Sequence, residues 1–357
     1  MPKIALITSI DYELFGDGSG NVKREQINPT NNLLQIARLY GVKLTIMFEY
    51  AQYIVYEKFG QEYPHLLKEN QLIKNQLISF IKEGHDVQLH YHAQWENAIY
   101  NDSIKNFTVN LDTIDISTLE YKRIVEILSD GKFFLENLLK PHNYRYECIG
   151  FRAGSWAVSN QNKLLKALKY VGFKSDSSVV PNVKFESEQV NFEYGNCPHK
   201  YHYWYVNNYL SKEDISSTFI EIPIYTEKSP YGFLKYLNSK YLQSRKIVSQ
   251  FYKVKISEKN FSLLQKIKKI FSRNYYMADL NTMSAKTLIK MVEEALNNDQ
   301  FTNEEIIPIM FISHSKTSYA LDDLHTFYTY LKIHYPHQIE YWTYQEAIEY
   351  ILKDKND

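Results

Sequence analysis

An α/β fold built on a parallel sheet is what this sequence predicts, and two observations carry the expectation. Short apolar runs alternate with amphipathic helical stretches along most of the chain. Alternation of that length joins parallel strands through helical crossovers, either as a barrel or as a doubly wound sheet. Polar residues also gather where the apolar runs end, in "SIDYE", "LHYHAQW", "FRAGSW" and "ISHSK". In either architecture the C-terminal strand ends meet on one face, and sites form there.

The elements follow in order. "KIALITSID" (3–11) is a buried-strand run that ends in a carboxylate. "PTNNLLQIARLYGV" (29–42) is a helix, with Pro29 and Thr30 near its start and Gly41 past its end. "KLTIMFEY" (43–50) is a strand, "LIKNQLISFIKEGH" (72–85) a helix and "DVQLHYH" (86–92) a strand. Residues 119–140 read as a helix broken or slowed near Gly131. "YECIGFRAG" (146–154) is a strand, 160–173 a helix, and "FIEIPI" (219–224) a strand. A helix over 284–298, the strand "IIPIMFISH" (306–314) and helices over 326–335 and 343–352 complete the pattern.

At 357 residues, with 44% hydrophobic residues, the chain suits one large α/β domain, 1–357. Lys+Arg and Asp+Glu are both 41, so overall charge does not point to nucleic acid. The two cysteines, Cys148 and Cys197, form neither a disulfide framework nor a CxxC zinc motif. The opening "MPKIALITSIDYE" reads as a strand and not as a signal peptide, and no run of 18 apolar residues occurs. A soluble, cytoplasmic chain is therefore expected.

Residues 226–275 differ from the rest. They hold ten Lys and two Arg against Glu227 and Glu258, with tyrosines and phenylalanines between them. This is expected to be a basic, largely helical insertion within the domain. Its charge would draw it to an anionic membrane leaflet, where aromatics such as Tyr231, Phe233 and Tyr236 would seat among headgroups. A solvated surface helix pair is the alternative.

The strand ends carry the chemistry. Asp11 and Glu13 are two apart on a strand, so their side chains point the same way, and His90 and His92 share that relation. Two carboxylates and two imidazoles on one rim suit a divalent cation with N/O ligands. His85, just after Gly84, is expected to cap or pack against the preceding helix. Trp95 and Trp156 follow two of the motifs and could wall a sugar groove, or could be ordinary core. Asp279, in "YMADLNTMS", could orient His314 or cap a turn. "GDGSG" lacks the ending of a phosphate loop, and Ser155 and Ser178 lack a nucleophile elbow.

The ordered set "SIDYE", "GHDVQLHYHAQW", "FRAGSW", "SDSSV" and "FISHSK" resembles the motifs of the polysaccharide deacetylase family, the NodB-homology or carbohydrate esterase 4 group. The resemblance implies a distorted (β/α) barrel, a divalent metal such as Zn²⁺, and removal of N- or O-acyl groups from an acylated sugar or polysaccharide precursor. It places Asp11 as catalytic base, His314 as general acid, Arg152 as the partner that holds Asp11 ionised, and Asp176 in the "DSS" element near the substrate. Glu13 and His90 fall at metal-ligand positions. Tyr12 stands where a second adjacent Asp is usual, so the roles of Asp11 and Glu13 could be exchanged. The second metal histidine is replaced by Gln94, and an amide oxygen is a poorer zinc ligand than imidazole. His92 could replace that histidine or line the substrate groove. A carbohydrate-binding pseudoenzyme and a metal-independent amidohydrolase stay open as alternatives.

Overall fold

A computed structural model describes residues 2–186, 190–228, 275–301, 306–317 and 319–355. Its centre is a nine-stranded sheet, parallel except at one edge. The strands are β1 (Lys3–Tyr12), β2 (Leu44–Glu49), β3 (Asp86–Tyr91), β4 (Gly150–Ala153), β5 (Ser175–Asp176), β6 (Trp204–Tyr205), β7 (Ile220–Glu221), β8 (Ile306–His314) and β9 (Ile339–Tyr341). Their order is β6–β7–β5–β4–β3–β2–β1–β8, with β9 beside the first half of β1. The two sides of the sheet also meet. Beyond β7, Ile224 donates to Val179 O and Tyr225 to Met310 O of β8, and Ile224 forms a parallel bridge with Met310. The sheet therefore curls into an irregular barrel.

Alternation along β1 sorts its side chains. Ile4, Leu6, Ile10 and Tyr12 join the large outer core beneath the helices. Ile7 instead joins a second cluster with Met47, Ile149, Ile220, Ile222 and Met310, inside the curl. Ser9, Asp11 and Glu13 continue that inner face toward the C-terminal rim. The helices are α1 (Asn28–Tyr40), α2 (Tyr50–Gly60), α3 (Pro64–Lys82), α4 (Tyr121–Leu139), α5 (Gln161–Val171), α6 (Ala285–Leu296), α7 (Leu321–His334) and α8 (Tyr344–Asp354). α8 closes the opposite mouth. Its Tyr344, Ala347, Ile348 and Ile351 pack on the inner cluster, and Tyr344 N–H donates to Thr45 Oγ1 at 2.8 Å.

Several elements depart from the sequence reading. α2 has no amphipathic stripe, because Tyr50, Ala51, Gln52, Tyr53, Val55 and Tyr56 are all buried. It starts where Glu49 Oε1 accepts the Ala51 N–H at 2.8 Å, as an N-cap. α4 runs unbroken through Gly131, where a Cβ would lie 2.7 Å from Leu89 Cδ1, so the glycine serves close packing and not a kink. β5 and β6 have only two residues each, too few for any periodic signal, and β7 is a two-residue part of the longer strand expected over 219–224. The basic stretch 226–275 is described only at 226–228 and 275, so the expected helical insertion lies outside the described residues. Among the described residues no helix is long and apolar enough to cross a membrane.

Candidate functional site

The inner faces of β1, β2, β3 and β4 converge at the C-terminal rim. Register sets the layer: Glu49 pairs with His90, and His90 with Arg152. Arg152 is fully buried and spans the interior of the curl. Its Nη1 donates to Asp11 Oδ1 at 2.5 Å and to Ser9 Oγ at 3.1 Å, and its Nε donates to Ser177 O at 3.0 Å. A guanidinium has donors enough for all of these, so the charge is paired and hydrogen-bonded where water is excluded. Burial by itself would raise the Asp11 pKa, but Arg152, His90 and His314 override it and hold the carboxyl below its ordinary value.

Above that pair sits a cluster of Glu13, Glu49, His90 and His92, whose candidate ligand atoms lie within 4.8 Å of one another. Glu13 Oε2 is 3.1 Å from His90 Nε2 and 3.0 Å from His92 Nδ1. His92 Nδ1 is also 2.6 Å from Glu49 Oε2. Burial opposes ionisation of Glu13, yet Lys316, His92 and His90 hold its pKa well below normal. Burial likewise opposes charge on His90, but Asp11, Glu13 and Glu49 push it up to about 9.

His90 decides whether a metal fits. Its Nδ1 lies 2.9 Å from the carbonyl oxygen of Arg152, which can only accept, so Nδ1 carries a proton. In the neutral ring, Nε2 then presents a lone pair to Glu13 Oε2, itself an acceptor. Two acceptors facing each other at 3.1 Å need a cation or a second ring proton between them. A histidine anchored through Nδ1–H to a carbonyl is also the usual arrangement around a bound metal. The donor set, two carboxylates and two imidazoles, suits Zn²⁺ or a similar ion.

His314 ends β8, in register with Asp11, and its Nε2 is 3.7 Å from Asp11 Oδ2. That is too long for a hydrogen bond. Burial holds the His314 pKa below its ordinary value, against the pull of Asp11. Its main chain is held by Asn281, whose Oδ1 accepts the His314 N–H at 2.7 Å. Trp156 stands at the same opening, its ring 5.9 Å from that of His314. Ser155 and Trp156 both take left-handed φ values, 54° and 55°, which costs of order 1 kcal/mol each. Tyr194 fixes this turn by donating to Trp156 O at 2.8 Å. Gly154 makes room for the site, because a Cβ there would lie 2.5 Å from His92 Cδ2.

The remaining expected residues have other partners. Gln94 Nε2 donates to Gly16 O at 3.3 Å, where the loop after β1 packs, and its buried Oε1 has no hydrogen-bond partner, while Glu49 supplies a carboxylate beside the two histidines. Trp95 is 2% exposed and packs edge-on against Phe107 at 5.5 Å, which makes it core and not a groove wall. Asp176 is in register with Phe151, a residue of the outer core, so it points out of the barrel interior. There its Oδ1 accepts the Ser178 N–H at 2.8 Å, and it lies beside Glu221 of β7. Asp279 accepts from Asn281 N–H at 2.8 Å and Thr282 Oγ1 at 3.0 Å, so it caps this turn, and its charge also acts on His314, whose main-chain N–H Asn281 holds. His85 sits at the far end of β3 and accepts the Leu44 N–H at 3.2 Å, apart from the two histidines of the site.

Glu49, Lys316, Ser9, Ser177 and Asn281 were not anticipated from the sequence. Glu49 carried a usable signal: "KLTIMFE" ends in a carboxylate as "KIALITSID" does. Ser315 and Lys316 follow His314 directly. Ser315 Oγ accepts the Glu13 N–H at 3.0 Å, and Lys316 Nζ donates to Glu13 Oε1.

No known family's sequence profile matches the chain. No curated protein matches it in sequence. Among solved structures it is similar to a putative polysaccharide deacetylase from Mycobacterium smegmatis, at TM-score 0.46 and 11% identity over 99% of this chain and 92% of that one. It is similar to Puue allantoinase, at TM-score 0.46 and 11% identity over 97% and 89%. It is also similar to a probable polysaccharide deacetylase from Pseudomonas aeruginosa PAO1, at TM-score 0.45 and 11% identity over 98% and 91%. These likenesses are loose, and the functional reading rests on the side chains of the rim.

Proposed function

We propose that this chain is a hydrolase that removes an acyl group, N-acetyl in the first instance, from a sugar or polysaccharide precursor. The observation that carries the reading is the meeting, on one rim, of the Arg152–Asp11 pair, the Glu13–His90–His92–Glu49 cluster, and His314 across a 3.7 Å gap from Asp11. Glu13, His90 and His92 would hold a divalent ion, and Glu49 would hold or orient His92. When bound, such an ion polarises an acyl carbonyl and makes water more acidic.

The chain's own groups supply the rest. Arg152 keeps Asp11 ionised, at some loss of basicity, so that Oδ2 can accept a proton from the attacking water. His314 is held neutral by burial at rest. It becomes an acid once a proton enters the gap, and the proton taken by Asp11 is the nearest source. His314 Nε2 then protonates the leaving amine or alkoxide. Trp156 walls the opening beside His314.

One observation favours a second reading, a metal-independent amidohydrolase: Arg152 and Lys316 already bring fixed cations to Asp11 and Glu13. Elemental analysis of the purified protein, paired with acetate release from a panel of N-acetylated sugars before and after chelation, separates the two. One ion per chain and activity lost on chelation support the first reading. Full activity in metal-free protein supports the second. No acyl release from any substrate, with an intact fold, favours a carbohydrate-binding pseudoenzyme.

A further inference from the structure

The fixed charges of the rim are close to balance without an ion. Asp11, Glu13 and Glu49 bring three carboxylates, and Arg152 and Lys316 bring two cations. A divalent ion added to this set overshoots neutrality by one charge. Arg152 cannot relieve the excess, because it is fully buried and bonded to Ser9, Asp11 and Ser177. Lys316 can: it lies on the segment just past β8, its side chain keeps 19% exposure, and its stem is flexible. The two oxygens of Glu13 divide the work. Oε1 takes the Lys316 ammonium, while Oε2 faces His90 and His92.

We infer that Lys316 is a built-in counter-cation for Glu13, in competition with a divalent ion for the same carboxylate. With no ion bound, its ammonium neutralises a carboxylate that is only 2% exposed. With an ion on Oε2, two cations draw on one carboxylate in a site that excludes water, where their repulsion is strong. Lys316 thus lowers divalent-ion affinity and keeps the rim intact when the ion leaves. This inference rests on the metal reading above.

The test is the Zn²⁺ affinity of the full chain, measured by competition with a chromophoric chelator at fixed pH and salt. Lys316→Met keeps the stem and removes the charge, whereas Lys316→Arg keeps the charge. The Met variant is expected to bind Zn²⁺ at least about tenfold more tightly than wild type, and the Arg variant to stay near wild type. Without metal, the Met variant should also unfold at a lower temperature, and Zn²⁺ should raise its midpoint by more than it raises that of wild type. Unchanged or weaker affinity in the Met variant overturns the inference, because a lysine that merely orients Glu13 would cost affinity when lost. If the Met variant does not fold, Lys316→Gln takes its place in the same titration with the same two outcomes. If neither wild type nor variant takes up Zn²⁺, the metal reading itself falls, an outcome distinct from equal binding by both.

Discussion

At its N-terminal mouth the interior of the curled sheet is aliphatic: Ile7, Met47, Ile149, Ile220, Ile222 and Met310 meet Ile348 and Ile351 of α8. A few residues further along the same strands it is charged, with Asp11, Glu13, Glu49, His90 and His92 all buried. β1 passes from one regime to the other in steps of two, through Ile7, Ser9, Asp11 and Glu13. Arg152 lies at the border. It contacts Ser9 and Ser177 on one side and Asp11 on the other, and so makes a charged layer tolerable directly above an apolar one. Burial at one mouth serves stability, while at the other it serves to perturb pKa values where chemistry can use them.

Substitutions at the two mouths should separate these roles. The largest effect is expected for Asp11→Asn and His314→Ala: each should lower turnover by about 10²–10⁴-fold with the fold intact, because a positioned acid or base supplies about that much. Wild-type turnover in either variant, on a verified substrate, removes the role assigned to it. Next comes the border. Arg152→Met should destabilise by about 3–5 kcal/mol in denaturant unfolding, since it leaves the Asp11 carboxylate buried without its partner. A loss below about 1 kcal/mol would mean that Asp11 simply takes up a proton there.

Ile348→Ala tests the apolar mouth. It should cost about 2–5 kcal/mol, because Ile348 is fully buried in the inner cluster, yet leave turnover per folded molecule unchanged. A comparable loss of turnover would show that the two mouths are coupled. The smallest effect concerns a carboxyl pair outside the barrel interior. Burial pushes Asp176 up to about 6 and Glu221, its strand neighbour, well above its ordinary value. Both folded-state values are raised, so the stability the pair supports is complete below the ordinary carboxylate range. It is lost as pH rises from about 4 through 6 and beyond. Glu221→Gln should therefore flatten that decline and raise stability at neutral pH by on the order of 1 kcal/mol. Equal pH slopes for wild type and variant would show that the two carboxyls do not share a proton.

Much of the rim was legible in the chain. Asp11, Glu13, His90 and His92 were readable because strand alternation is local: residues two apart on a strand face one way wherever the strand lies. Arg152 and His314 were readable as strand-end residues. α2 was not, since a helix buried on most sides has no stripe to detect. The two-residue strands β5 and β6 owe their existence to neighbours that hold them in the sheet.

What the sequence by itself determined is the set of strands and which of their ends bear charge. Apolar runs must be buried, and alternation assigns each side chain to one face or the other. What only the tertiary structure decided is which of those side chains meet. The curl brings Glu49 to His92 and leaves Gln94 on the loop at Gly16. The segment past β8 sets Lys316 on Glu13. Trp95 sits in the outer core, and Asp176 points out of the barrel interior beside Glu221, although the motifs place Asp176 near the substrate and allow Trp95 there. The reason is physical: facing is a property of one strand, whereas partnership depends on register and curvature across several. A chain that is read one strand at a time contains neither.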